Sequence, residues 1–410
     1  MVLPSGARRN HQSRVNTRQK RQSLCFVIEG LNSFGTVLYF TYLYFLLHQR
    51  FGFDDKKNLA VAALLGLCYA LSSWQAGRLA QRRGYFNALK LGFGIMIGGL
   101  LVGAQLGSAV GQIAAAVSVT LGMCFTWPVL EALISENETP ARVPHAIGIY
   151  NITWAATNAS ALFIGGTLIE KFGYQSIFYI PAVIIAGQII LTLWLEKIPQ
   201  PAVAENNFTA TRDENRPAPA LAKNFQQLAW LANPFAYIAI NTLLAVLPGI
   251  AAKLQLSPMF AGFTCSLWGF ARLAAFVALW RWPGWHYRFN WLATAFSALV
   301  ISFAAILIVP NLAVLLVAQI FFGAAIGLIY YSSLFYAMDA SETKSEHGGI
   351  HEAAIGAGNF FGPAVGAVSL QFAAQNANAG AWAVSGLLLV GLGGLLWLRK
   401  IGVATTKHTK

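Results

Sequence analysis

The hexapeptide "AIGAGN" at residues 354–359 has a near copy, "AIGIYN", at 146–151. The two closing residues, Asn151 and Asn359, lie 208 positions apart, and the same offset carries Glu131 onto Asp339. A six-residue match alone says little. A carboxylate in register with it, near the end of a matching apolar run, points to a duplicated chain.

The surrounding sequence fixes the class. Hydrophobic residues make up 56% of the 410 and charged residues 10%, far from the balance of a soluble domain. Twelve apolar runs are each long enough to cross a bilayer as a helix. They fall at about 25–48, 58–77, 88–106, 109–134, 145–169, 175–195, 234–252, 257–280, 289–309, 312–338, 349–374 and 380–398. The short alternating segments of a β-barrel are not visible. The predicted fold is therefore an all-α integral membrane protein of twelve transmembrane helices in two pseudo-symmetric six-helix bundles. Residues 196–233 are rich in Pro, Asn and charge and read as a linker. The expected organisation is a basic tail 1–24, a first bundle 25–195, the linker 196–233, a second bundle 234–398 and a tail 399–410. The first apolar run is too long for a cleaved signal peptide, and eleven more follow.

Lys and Arg orient the chain. The loops expected outside hold only Arg50, Lys56, Lys57, Lys171 and Lys253, and Arg272 lies within a span. The other 22 of 28 basic residues fall on the inner side. This bias predicts both termini in the cytoplasm of a cell with the chain in its inner (plasma) membrane. It also accounts for the net charge of +13. The basic tail reads as a topology signal that touches anionic lipid, with no nucleic acid as partner. Cys25, Cys68, Cys124 and Cys265 show no disulfide or metal spacing. "HEAAI" at 351–355 lacks the second histidine of a zinc protease. Neither a metal nor a cofactor is expected.

The loop after the second run reads "GRLAQRRGYFN", residues 77–87. It resembles the second-loop signature of the major facilitator superfamily through Gly77, Arg82 and Gly84. Gln81 replaces that family's acidic residue and Tyr85 its following basic one. "SENETPARVPHAIG" is similar to the family's pattern after the fourth helix, through Glu136, Pro140 and Arg142. "GNFFGPAVG" at 358–366 looks like the exporter motif of the family, but it stands in the eleventh run and not the fifth. The resemblance covers about 25–400 and implies two parallel six-helix repeats around a central cavity. It further implies that the third, sixth, ninth and twelfth helices face lipid. Their apolar stretches, "LGFGIMIGGLLVGAQLG" from Leu91 in the third among them, do lack charged residues.

The charges within or beside spans fall elsewhere: Glu29, Glu131, Arg272, Asp339, His351 and Glu352. An ionisable group at mid-membrane is costly and faces a cavity or a partner. Glu131 and Asp339 read either as inner gating ion pairs or as proton-carrying or substrate sites, and Glu29 either carries a coupling proton or sits at the inner interface. His351 and Glu352 read as caps at a loop edge or as an inner gate. Arg272 meets either an internal carboxylate or an anionic substrate, with Trp268 one turn earlier able to flank it. Asn32, Thr36, Tyr39, Trp127, Asn151, Trp154, Asn158, Asn241, Tyr331, Tyr336 and Asn359 complete the expected substrate-binding set. For Asn151 and Asn359 the alternative is helix–helix hydrogen bonding. Pro128, Pro248 and Pro363 are expected to mark bends.

No nucleophile–base pair or phosphate loop is present, so an enzyme is not expected. The reading is a secondary active transporter, a symporter working by alternating access as a monomer. Its expected partners are a small-molecule substrate, the bilayer and protons as coupling ion. A small organic anion fits best; a neutral sugar-like or nucleoside-like solute, or a non-transporting receptor or scaffold, is the alternative.

Overall fold

In a bilayer no water satisfies backbone N–H and C=O groups, so each apolar run must close its own hydrogen bonds as a helix. The computed structural model describes residues 5–135, 143–199, 219–339 and 344–408, with side chains described for 16–134, 145–199, 219–336 and 354–401. Thirteen α-helices follow one another: α1 (Ser5–Phe51), α2 (Asp55–Arg83), α3 (Tyr85–Gln105), α4 (Ala109–Met123), α5 (Trp127–Ser135), α6 (Val143–Phe172), α7 (Ser176–Lys197), α8 (Pro219–Lys253), α9 (Pro258–Arg281), α10 (Phe289–Ile308), α11 (Leu312–Asp339), α12 (Lys344–Phe372) and α13 (Ala379–His408). No strand occurs among the described residues.

Eleven segments among the described residues are long and apolar enough to span a membrane, with α4 and α5 counted as one. The expected eleventh span, in α12, is not among them. Its described stretch is diluted by glycines, Asn359 and Pro363. It tolerates this because it packs inside the bundle, against α2 and α8. The expected fourth span is two helices. Phe125 and Thr126 close tight turns onto the carbonyls of Gly122 and Met123, and α5 begins just before Pro128. At the second position of a helix the missing N–H of proline costs nothing.

Three helices run past their expected ends. α1 begins at Ser5, so the basic tail is helical. Arg21 explains part of this: its Nη1 donates to the carbonyls of Leu195, at 3.3 Å, and Ile198 at the end of α7. α8 begins at Pro219, inside the expected linker, because "PALAKNFQQLAWLAN" buries Phe225, Leu228 and Ala232 along one face. α13 continues to His408.

α3, α7, α10 and α13 turn large apolar side chains outward, among them Val102, Val183, Ile190, Ile301, Val390 and Trp397. These are the lipid-facing helices. The centre is built from two long seams, α2 against α12 and α6 against α9. The repeated motif lies on these seams, and its glycines explain why. A Cβ on Gly356 would fall 2.7 Å from Cα of Ala70, and one on Gly66 would strike the backbone of Asn359. Backbone cannot yield as a side-chain tip can. Gly66→Val is therefore expected to force α2 from α12 and cost at least about 1–3 kcal/mol. Recovery of monodisperse protein after solubilisation checks this; a wild-type melting temperature would refute it.

The ends of α1 and α13 that carry the chain termini define a terminal face; the other is the distal face. On the distal face Lys253 of α8 pairs with Asp55 of α2 at 3.9 Å. There also Glu170 of α6 accepts the N–H of Met259, in the first turn of α9, at 2.8 Å. An anion at a helix N-terminus is favoured by the dipole. Both links tie a helix before residues 200–218 to one after them. Each is partly exposed and stabilises by about 0.2–1 kcal/mol. Glu170→Ala with Asp55→Asn is expected to raise distal labelling of Thr36→Cys several-fold in a cysteine-free background. Unchanged labelling would rule out a latch.

Candidate functional site

Between the two seams lies a cavity whose space, counted out to where it meets solvent, is about 1230 Å³. Both parts of the chain line it. α1 contributes Glu29, Thr36, Val37, Phe40, Thr41 and Tyr44; α5 adds Trp127 and Glu131; α6 adds Tyr150, Trp154 and Asn158. From the other side come Tyr237 and Asn241 of α8, Trp268 and Arg272 of α9, Tyr330 of α11 and Asn359 of α12.

Arg272 is the centre of this arrangement. It lies fourteen residues into α9, roughly 21 Å from the distal end at 1.5 Å per residue. Its side chain is 3% exposed. The guanidinium carbon sits 4.4 Å from the ring of Trp154 and 4.8 Å from that of Trp268. Two indole faces thus cover a buried cation, each contributing about 0.5–2 kcal/mol. Among the described residues no carboxylate lies in ion-pair range of it. Its Nε and Nη2 have no hydrogen-bond acceptor. Neither does the indole N–H of Trp268 or that of Trp127. Unmet buried donors cost about 1–3 kcal/mol each, more when charged. The cavity therefore gathers unmet donors around a fixed positive charge, with Oδ1 of Asn158 as an unmet acceptor in the same lining.

The aromatic walls hold this geometry. Trp154 meets Phe276 at 5.7 Å and Tyr330 at 5.3 Å, both edge to face. Tyr237 and Tyr330 put their phenols within electrostatic reach of Arg272. Glu29, 1% exposed, accepts a hydrogen bond from Ser33 at 3.2 Å. Glu131 is half-buried on α5, nearer the terminal face. Asn359 accepts a hydrogen bond from Asn241, joining α12 to α8.

Of the residues singled out in the sequence, Glu29, Thr36, Trp127, Glu131, Trp154, Asn158, Asn241, Trp268, Arg272 and Asn359 line the cavity together. Others stand apart. Tyr39 packs edge to face on Phe178 of α7, away from the cavity, and Phe40 takes the lining position. Asn32 is buried beside the lining with neither polar atom partnered. Asn151 accepts the indole N–H of Trp154 at 3.0 Å. Tyr331 packs on Phe276 and Trp285. Tyr336 accepts the N–H of Tyr287 at 2.9 Å within an aromatic cluster. Asp339, His351 and Glu352 lie outside the residues whose side chains are described. Gly77 and Arg82, expected in a loop, lie in the last turns of α2, which runs to Arg83, and with Gly84 they are not part of the lining. Gly84 links α2 to α3 at φ 89, a conformation that favours glycine.

Tyr69, Tyr150, Tyr237 and Tyr330 line the cavity and escaped sequence reasoning. Their only signal is an aromatic side chain one or two turns from a polar residue, which buried packing also produces.

A helical bundle with a polar cavity at mid-depth between its parts is the architecture of a polytopic membrane transporter. The chain belongs to the Major Facilitator Superfamily, whose sequence model matches residues 100–344. Solved structures agree on the fold. The human organic anion transporter MFSD10 (TETRAN) superposes with a TM-score of 0.66 at 15% identity, covering 92% of this chain and 99% of its own. A bacterial homolog of the human lysosomal transporter Spinster, in an inward-facing and unoccupied conformation, gives 0.67 at 13%, covering 95% and 97%. A variant of the nucleoside transporter NupG gives 0.64 at 15%, covering 93% and 99%. No curated protein matches the sequence.

Proposed function

We propose that this chain is a secondary active transporter that moves a small organic anion, with protons, by alternating access. One observation carries the substrate class: a buried Arg272 with unmet donors, facing a cavity between the two parts of the chain. A carboxylate fits the guanidinium edge bidentately, because both indole faces leave that edge open. Trp127 and Trp268 then supply neutral donors to the remaining oxygens or to a second polar group. Glu29 and Glu131 line the same space and, with Asp339, are the proton-carrying sites.

The moving bodies are residues 25–195 and 234–398, joined by the linker. Binding favours whichever state grips the anion better, and can shift the equilibrium only by that difference. The distal links at Asp55 and Glu170 hold the two bodies together on that side. The protein works as a monomer in the inner (plasma) membrane, and the Lys and Arg bias supports a terminal face in the cytoplasm. The similarity in fold to a structure named as an organic anion transporter is in line with this reading. A neutral solute is the second reading, favoured by the unmet carbonyl oxygen of Asn158 in the lining.

The test compares acids with their uncharged amides. Small monocarboxylates are expected to raise the melting temperature of the purified protein and to accumulate in reconstituted vesicles with an inward proton gradient. If amides stabilise and accumulate equally well, the anion reading falls and the neutral one takes its place.

A further inference from the structure

Asn151 and Asn359 close the two copies of the repeated motif, yet the structure gives them different work. Asn359 faces the cavity and binds across helices to Asn241 of α8. Asn151 is 1% exposed and is not part of the lining. Its bond runs along its own helix, to the indole N–H of Trp154 three residues on. Trp154 in turn covers Arg272, which belongs to the other side of the cavity.

We propose that Asn151 is a positioning residue, which fixes the indole of Trp154 so that its face, and not its N–H edge, meets the guanidinium of Arg272. The physical basis is the ring's charge distribution. An aromatic face is negative and attracts a cation; the edge, above all the N–H, is positive and repels it. The second side-chain torsion of Trp is broad and roughly two-fold. Packing against Phe276 and Tyr330 restrains the ring's position, but two apolar edges tell its faces from its N–H poorly. A hydrogen bond to Oδ1 of Asn151 selects one orientation. The consequence is that the guanidinium keeps its faces covered and its edge open. This rests on the reading of Arg272 as the anion site.

The test needs no substrate. Purified full-length protein is treated with phenylglyoxal, an arginine reagent, and modification of Arg272 is followed by peptide mass spectrometry. Modification of Arg21, held by the end of α7, reports general loosening in the same sample. Asn151→Ala is expected to speed modification of Arg272 at least threefold with Arg21 unchanged. Trp154→Phe, which keeps a ring but has no N–H, is expected to do the same. The double variant is expected to react no faster than Trp154→Phe alone, because Asn151 then has nothing to hold. An unchanged rate in Asn151→Ala, an equal rise at Arg21, or a multiplied rate in the double variant overturns the proposal. Asn151→Ser, too short to reach, replaces the alanine variant if that one does not accumulate, and the Asn151 variant alone decides if Trp154→Phe does not. Failure of the anion reading is seen separately, as normal transport by Arg272→Lys, and leaves the modification rates where they were.

Discussion

Arg272→Lys is expected to fold and insert but to bind its anion roughly 10- to 100-fold more weakly. The figure follows from losing a charge-assisted, bidentate bond of about 1.5–3 kcal/mol at about 1.4 kcal/mol per tenfold. Lysine keeps the charge. It loses the planar fork that meets two carboxylate oxygens together, and the flat faces that Trp154 and Trp268 cover at 4.4 and 4.8 Å. The apparent KM for uptake should rise while the maximal rate changes less. Arg272→Ala removes the packed stem as well and is expected to lower the melting temperature. Normal transport by Arg272→Lys, with Arg272→Ala merely failing to accumulate, would make the residue structural.

The second large effect concerns coupling. Amide replacement of the proton-carrying carboxylate is expected to abolish uphill accumulation and leave counterflow exchange intact. A transporter carrying one proton with each solute can concentrate it about tenfold per pH unit, since one unit equals about 1.4 kcal/mol. The accumulation ratio should fall from that level to one. Glu29 is the first to replace, being buried on α1, in the cavity lining and bonded to Ser33. Glu131→Gln and Asp339→Asn complete the set. If all three amide variants still concentrate substrate, protons are not carried at these positions.

Much of the site could be read before its shape was known, because charge inside a membrane is costly and must be placed with purpose. Arg272, Glu29 and Glu131 stood out for that reason, and all three line the cavity. The uncharged lining was read less well. The expected set holds Tyr331 and Tyr39, yet their neighbours Tyr330 and Phe40 line the space. One residue along a helix is a turn of about 100°. An error of that size moves a side chain from a cavity to a packed seam.

What the amino-acid sequence determined by itself was the membrane class and the place of most spans. These depend on neighbours within one helix: about 20 apolar residues must hydrogen-bond to themselves in lipid, wherever the rest of the chain lies. The tertiary structure alone decided the rotation of each helix about its axis. It decided that Trp154 of α6 covers Arg272 of α9, that Asn151 serves Trp154 while Asn359 reaches Asn241, and that α4 breaks from α5 ahead of Pro128. Trp154 with Arg272, and Asn241 with Asn359, are contacts between residues more than one hundred positions apart. Their partners are selected by close packing of glycine-lined seams, a property of surfaces that no single stretch of sequence contains.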